Sequence, residues 1–173
     1  MIAPFVSGSP LSGDGPRVLV FSERNVIARK SHALQYEFED VGTEVGLVDV
    51  VAPRVLERSP VNRVFYRISR SGGRGGIREK SIEELTITDD YDLFFAFFAF
   101  PSDIAHIQRL KGWRRRCKKA VCFIDEHYTA ENDQNRRYFE LLRELGFDHV
   151  YIFNTAPKEA IASIVGCPVR LLA

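Results

Sequence analysis

Short, continuous apolar runs alternate with polar and helix-patterned stretches along this chain. The runs are Arg17–Phe21 (RVLVF), Glu44–Val51 (EVGLVDVV), Tyr91–Phe100 (YDLFFAFFAF), Ala120–Ile124 (AVCFI), Val150–Phe153 (VYIF) and a short last one at Val169–Leu172. Brief apolar runs without strict polar alternation suit parallel strands buried on both faces. Between them, Ile27, Leu34, Phe38 and Val41 recur at helical spacing and predict a helix over Val26–Val41, with Gly42 as its C-cap. A second helix is expected from a cap at Ser102 or Asp103 to about Arg115. A third spans Glu131–Leu145, ended by Gly146, and a fourth opens on Pro157 and closes at Gly166. The middle is less regular. Pro53–Ser59 reads as a short helix, Val61–Ile68 as either strand or helix, Ser69–Gly76 (SRSGGRGG) as a mobile loop and Ser81–Leu85 as a helical turn. Strands and helices taking turns predict an α/β fold: a single Rossmann-like domain over 17–173, with a doubly wound, mostly parallel sheet and helices on both faces.

Composition narrows the class without naming a function. A chain of 173 residues, 45% hydrophobic and 27% charged, suits one globular domain. A net charge of +1 supplies no global field toward nucleic acid or a membrane. The three cysteines, Cys117, Cys122 and Cys167, have no paired spacing, which argues against a disulfide framework and a zinc site and suits a reducing cytoplasm. No metal and no cofactor are expected. Residues Met1–Pro16, rich in Gly, Ser and Pro, lack the basic and apolar regions of a signal peptide and read as a flexible leader. The apolar run Leu93–Pro101 is too short to span a bilayer as a helix.

In open parallel sheets, ligands bind beyond the carboxyl ends of the strands, near the point where strand order reverses. That rule selects Ser22, Glu23, Arg24 and Asn25 after the first strand, Ser102 and Asp103 after the third, Asp125–Tyr128 after the fourth, and Asn154 with Thr155 after the fifth. Asp125, Glu126 and His127 form the densest titratable cluster, since a carboxylate beside an imidazole can orient a general base; a polar, helix-capping loop is the plainer reading. Arg24 could hold a carboxylate or phosphate and Asn25 sugar hydroxyls, against simple capping and a surface ion pair. The first loop contains no glycine, which disfavours a dinucleotide site, and the GGRGG stretch is not followed by the Lys-Ser/Thr of a phosphate-binding loop. Arg70, Arg74 and Arg78 around that stretch could fold over an anion or belong to a plain surface loop. Lys111–Lys119 (KGWRRRCKK), with Trp113 among arginines, could touch nucleic acid or form a solvated helix end; the balanced total charge favours the second. His32, His106 and His149 stand alone in the sequence and read as structural or exposed. The phenylalanines at 94, 95, 97, 98 and 100 read as core.

The segments RVLVFSE, then YDLFFAFFAFPSDIAHIQRLKGWRRRCKKAVCFIDEHY, then LGFDHVYIFNTAPKEAIASIVGCPVRLLA resemble the N-terminal half of GT-B fold glycosyltransferases. Tyr91-Asp92 and Phe147-Asp148 occupy positions typical of that pattern, and the likeness covers most of 17–173. It implies an acceptor-binding domain facing a second, donor-binding C-terminal domain that this chain does not include and that would be fused or supplied by a partner. It implies that the nucleotide-sugar donor is held there, and that this chain alone is not active. It also implies that His127 or Glu126 serves as base and that Ser22–Asn25 line the acceptor. The partner expected is then a sugar or other hydroxyl acceptor. Homodimerisation through the face left by the second domain is a further expectation.

Overall fold

A computed structural model describes residues 5–6, 15–25, 33–54, 82–125, 133–153 and 158–172. Strands β1 (Phe5–Val6), β2 (Val18–Phe21), β3 (Val48–Val51), β5 (Tyr91–Phe98), β7 (Cys117–Ile124), β8 (His149–Ile152) and β9 (Val169–Leu171) form one sheet in the order β1-β3-β2-β5-β7-β8-β9. All neighbours are parallel except β1, which lies inside the segment read as a leader and pairs antiparallel with β3. The chain leaves β2 for β3 on one side and returns to β5 on the other, so strand order reverses between β2 and β5. This is the flavodoxin-type order of doubly wound sheets, which place ligands at that reversal. A separate pair joins β4 (Leu85–Thr86) to β6 (Leu110–Lys111).

Alternation along the strands sends successive side chains to opposite faces. Leu19, Phe21, Val51, Phe94, Ala96 and Phe98 enter the main core, while Val20, Val48 and Val50 build a smaller one on the other face, joined by Phe95. The main face is covered by a 3₁₀ helix (Pro101–Arg109), by α3 (Asp133–Leu145) and by α4 (Lys158–Val165), which bury Ile104, Ile107, Phe139, Leu142 and Ile161. Helix α1 (Ala33–Glu44) packs on the second face through Gly42, where an added Cβ would stand 2.9 Å from a Val48 methyl. No helix among the described residues is long and apolar enough to cross a membrane.

Several local expectations change. Gly42 is not a C-cap: α1 continues to Glu44 and ends at Gly46, whose φ of 70° satisfies a left-handed cap. Leu47 N–H then bonds Gly42 C=O and Gly46 N–H bonds Thr43 C=O, the paired pattern of that cap. Phe38 and Val41, part of the expected inward stripe of this helix, are exposed, and the buried positions are Glu39 and Gly42. Ile82 forms an isolated bridge and Leu85 a strand, where a helical turn was expected. The helix expected from Ser102 or Asp103 to Arg115 is instead the 3₁₀ helix, strand β6, a left-handed Gly112 and the single turn α2 (Trp113–Arg116). Trp113 explains the break. Its ring enters the core, 4.1 Å from the Phe94 ring and 5.4 Å from that of Phe147. An unbroken helix would have to carry the arginines beside it on one continuous cylinder instead of turning back into β7.

The candidate site at the strand-order reversal

Two loops meet where strand order reverses. The first follows β2 and begins with Ser22 and Glu23, both buried. The second follows β5. There Asp103, at the first turn of the 3₁₀ helix, accepts the Phe100 N–H at 3.1 Å and the Ser102 hydroxyl at 3.3 Å. A carboxylate at this position satisfies a backbone donor that the helix start would otherwise leave orphaned. In a 3₁₀ helix, residues three apart eclipse one another, so His106 lies on the same face as Asp103. Its Nδ1 meets the Glu23 carboxylate across 83 residues of sequence. Ligand atoms of Glu23, Asp103 and His106 all lie within 4.8 Å of one another. Glu23 and Asp103 are buried and His106 is nearly so.

The residues expected to bind substrate divide into two groups. Glu23, Ser102 and Asp103 converge with His106. Arg24 and Asn25 turn away to hold the scaffold. Arg24 Nε donates to Glu39 at 3.0 Å, Nη2 donates to the Tyr36 carbonyl at 2.7 Å, and Nη1 pairs with Asp40. The carboxylate that Arg24 holds is thus the protein's own. Asn25 Nδ2 donates to the Ala52 carbonyl at 3.0 Å, tying the loop after β2 to the end of β3. Ser22 Oγ accepts the Arg24 N–H at 3.3 Å and contributes a hydrogen bond to Glu39. Burial pushes the Glu39 carboxyl above its ordinary range, against the opposing pull of Ser22, Arg24 and Gln35. His127, Glu126 and Asn154 lie outside the described residues, as do Arg70, Arg74 and Arg78.

His106 is the site residue that the linear sequence hid. The only carboxylate near it in sequence is Asp103, and its main partner follows another strand. The signal available was indirect: a carboxylate and a histidine three apart in the segment after the third apolar strand.

At the opposite, amino edge of the sheet the charge run Lys111–Lys119 finds its own acids. Arg116 pairs with Asp90 at 3.0 Å, Lys118 with Asp92 at 2.6 Å, and Arg114 with Asp148 at 3.2 Å. Lys111 faces Glu84 at 3.3 Å. Trp113 is buried in the core, so its ring is not a stacking platform beside these cations. Lys118 and the Arg17 N–H hold the Asp92 carboxyl below its usual range. Burial pushes the Cys117 thiol up to about 11 and the Cys122 thiol well above its ordinary value, which suits inert core thiols.

Comparison with family models, with curated proteins and with solved structures finds no match to this chain.

Proposed function

We propose that this domain is the acceptor-binding part of a glycosyltransferase that takes its sugar from a nucleotide-sugar donor, with the donor held on a second domain, fused or supplied by a partner chain. The observation that carries the reading is the convergence of Glu23, Asp103 and His106 at the reversal point of a doubly wound sheet. Carboxylate oxygens and an imidazole nitrogen are the groups that orient a hydroxyl and accept its proton. The segment-by-segment likeness to GT-B N-terminal halves supplies the reaction class. In this reading the acceptor hydroxyl is activated at the Glu23–Asp103–His106 cluster.

The test is a nuclear magnetic resonance titration of the chain with a panel of mono- and oligosaccharides, alongside sugar-transfer assays on the full native gene product. Amide shifts gathered at 22–24 and 102–106, and weakened in His106→Ala, are expected. Saccharides that leave those signals unmoved would remove the reading.

A second reading, a non-catalytic interaction module, is favoured by one observation. Phe38, Val41, Val45 and Leu47 place an exposed apolar stripe on and just after α1. Light scattering on Phe38→Asp discriminates: an association lost in that variant favours this reading.

A further inference from the structure

We propose that Glu23, Asp103 and His106 bind one divalent cation of the first transition row. The inference concerns the cluster assigned above to acceptor activation, but the binding itself needs no sugar and stands or fails apart from that reading.

The donor set comes first. Two carboxylates and one imidazole offer oxygen and nitrogen ligands, a mixture that suits zinc or manganese better than the all-oxygen set preferred by calcium or magnesium. Two carboxylates beside a neutral imidazole also balance the charge of a divalent ion. The separation fits as well. Ligand atoms each about 2.1 Å from an ion lie at most about 4.2 Å apart. Around a tetrahedral ion that separation is about 3.4 Å; the three ligand atoms here lie within 4.8 Å of one another, so side-chain shifts of about an ångström, which also open the His106–Glu23 contact, would close them on an ion.

The support behind the ligands is the third argument. The Phe100 N–H and the Ser102 hydroxyl orient the Asp103 carboxylate. Such outer contacts fix the direction of a metal ligand. Glu23 stands two residues past the end of β2, and His106 is fixed by a 3₁₀ helix whose Ile104 and Ile107 are fully buried. The cation would take the place of the hydrogen that now joins His106 to Glu23, that proton passing to His106 Nε2 or to solvent. Three protein ligands leave a coordination position for water or a substrate hydroxyl, the arrangement of catalytic rather than structural sites. On the sugar-transfer reading, that position is where an acceptor hydroxyl would be made more acidic. The cysteine spacing that spoke against a zinc site carries no information on a carboxylate–imidazole set.

The test uses the full chain after chelator treatment, titrated with Mn²⁺ and followed by electron paramagnetic resonance, since buried thiols compete poorly for manganese. Saturable binding of a single equivalent is expected. It should weaken by at least about tenfold in Asp103→Asn and in His106→Ala, in line with the cost of disturbing metal-site residues. The surface control Glu140→Gln should keep it. Because a variant at a buried position can misfold, a second measurement uses the wild-type protein: bound Mn²⁺ should broaden the amide signals of 22–24 and 102–106 selectively. Absence of saturable binding, or broadening centred elsewhere, overturns the proposal. Metal binding here without any saccharide response would retain this inference and remove the sugar-transfer reading; the reverse result would do the opposite.

Discussion

The two edges of the sheet use similar residues in different ways. At the amino edge, acids and bases meet in water: Arg116 with Asp90 and Lys118 with Asp92 are exposed pairs. At the carboxyl edge the charged groups are buried: Glu23 and Asp103 beside His106, and Glu39 beside Arg24. Exposed pairs are worth little, because water screens them and long side chains lose entropy in forming them. Buried charges cost several kcal/mol to desolvate and are tolerated only with specific partners. The exposed pairs of the amino edge can therefore be varied cheaply. The carboxyl edge concentrates buried charged groups: Arg24 and Glu39 hold the scaffold, while Glu23, Asp103 and His106 form the cluster proposed above to carry chemistry.

Tyr91-Asp92 and Phe147-Asp148 both lie at the amino edge. In each pair the aromatic ring is buried and the aspartate accepts a backbone N–H of a neighbouring strand: Asp92 from Arg17, just before β2, at 2.9 Å, and Asp148 from Ala120, inside β7, at 2.7 Å. These dipeptides are devices for holding parallel strands in register. They speak for the fold and stand across the sheet from the candidate chemistry.

The largest effect should come from breaking the buried pair at the carboxyl edge. Arg24→Ala leaves Glu39, 1% exposed, without the guanidinium that faces it. Loss of one partner of a buried ion pair costs about 3 kcal/mol or more. Urea denaturation should show this as a lower midpoint with an unchanged slope. A loss under about 0.5 kcal/mol, the range of an exposed pair, would mean that the two edges do not differ in the way argued.

A smaller contrast separates two acids within the amino edge. Asp148→Ala removes the acceptor of the Ala120 N–H, a residue that is fully buried, and also one of the three acceptors of Arg114, which keeps the Gly146 and Cys117 carbonyls. An unsatisfied buried donor costs about 1–3 kcal/mol. Asp90→Ala breaks only the exposed pair with Arg116 and should stay within about 0.5 kcal/mol. Equal losses in the two variants would show that solvent exposure does not set the value of an acid at this edge.

The same physics decides what the sequence revealed. Strands β2, β3, β5, β7, β8 and β9 were legible because continuous apolar runs such as AVCFI have few other places to go. Helix α1 was located but its facing was misread. Phe38 and Val41 set a helical period, yet the close approach to β3 needs Gly42, which turns Glu39 inward and the larger residues out. The helix after β5 failed because Trp113 fills the core beside Phe94, a tertiary demand that no local pattern carries. At the site, the strand-end rule found Glu23, Ser102 and Asp103, which are local to their strands. It could not find His106, whose meaning depends on a partner 83 residues away.

The smallest expected effect sets Glu39 against Asp92 through pH. Burial raises the Glu39 carboxyl above its ordinary range, so the folded protein holds that proton more tightly than the unfolded chain. Its contribution to stability therefore grows as pH falls through the raised value and is lost as pH rises through it. Lys118 and the Arg17 N–H lower the Asp92 carboxyl, so its contribution is present above the ordinary carboxylate range and disappears as pH falls through the depressed value. Stability curves for Glu39→Gln and Asp92→Asn, each subtracted from wild type between neutral and acid pH, should slope in opposite directions. For Asp92 the wild-type advantage shrinks on acidification. For Glu39 wild type gains on its variant. Parallel slopes would mean that Glu39 keeps its charge as easily as a surface acid, with Arg24, Gln35 and Ser22 outweighing burial. The carboxyl edge would then be an ordinary ion-pair surface turned inward, and its burial would no longer single it out as the place where chemistry is held.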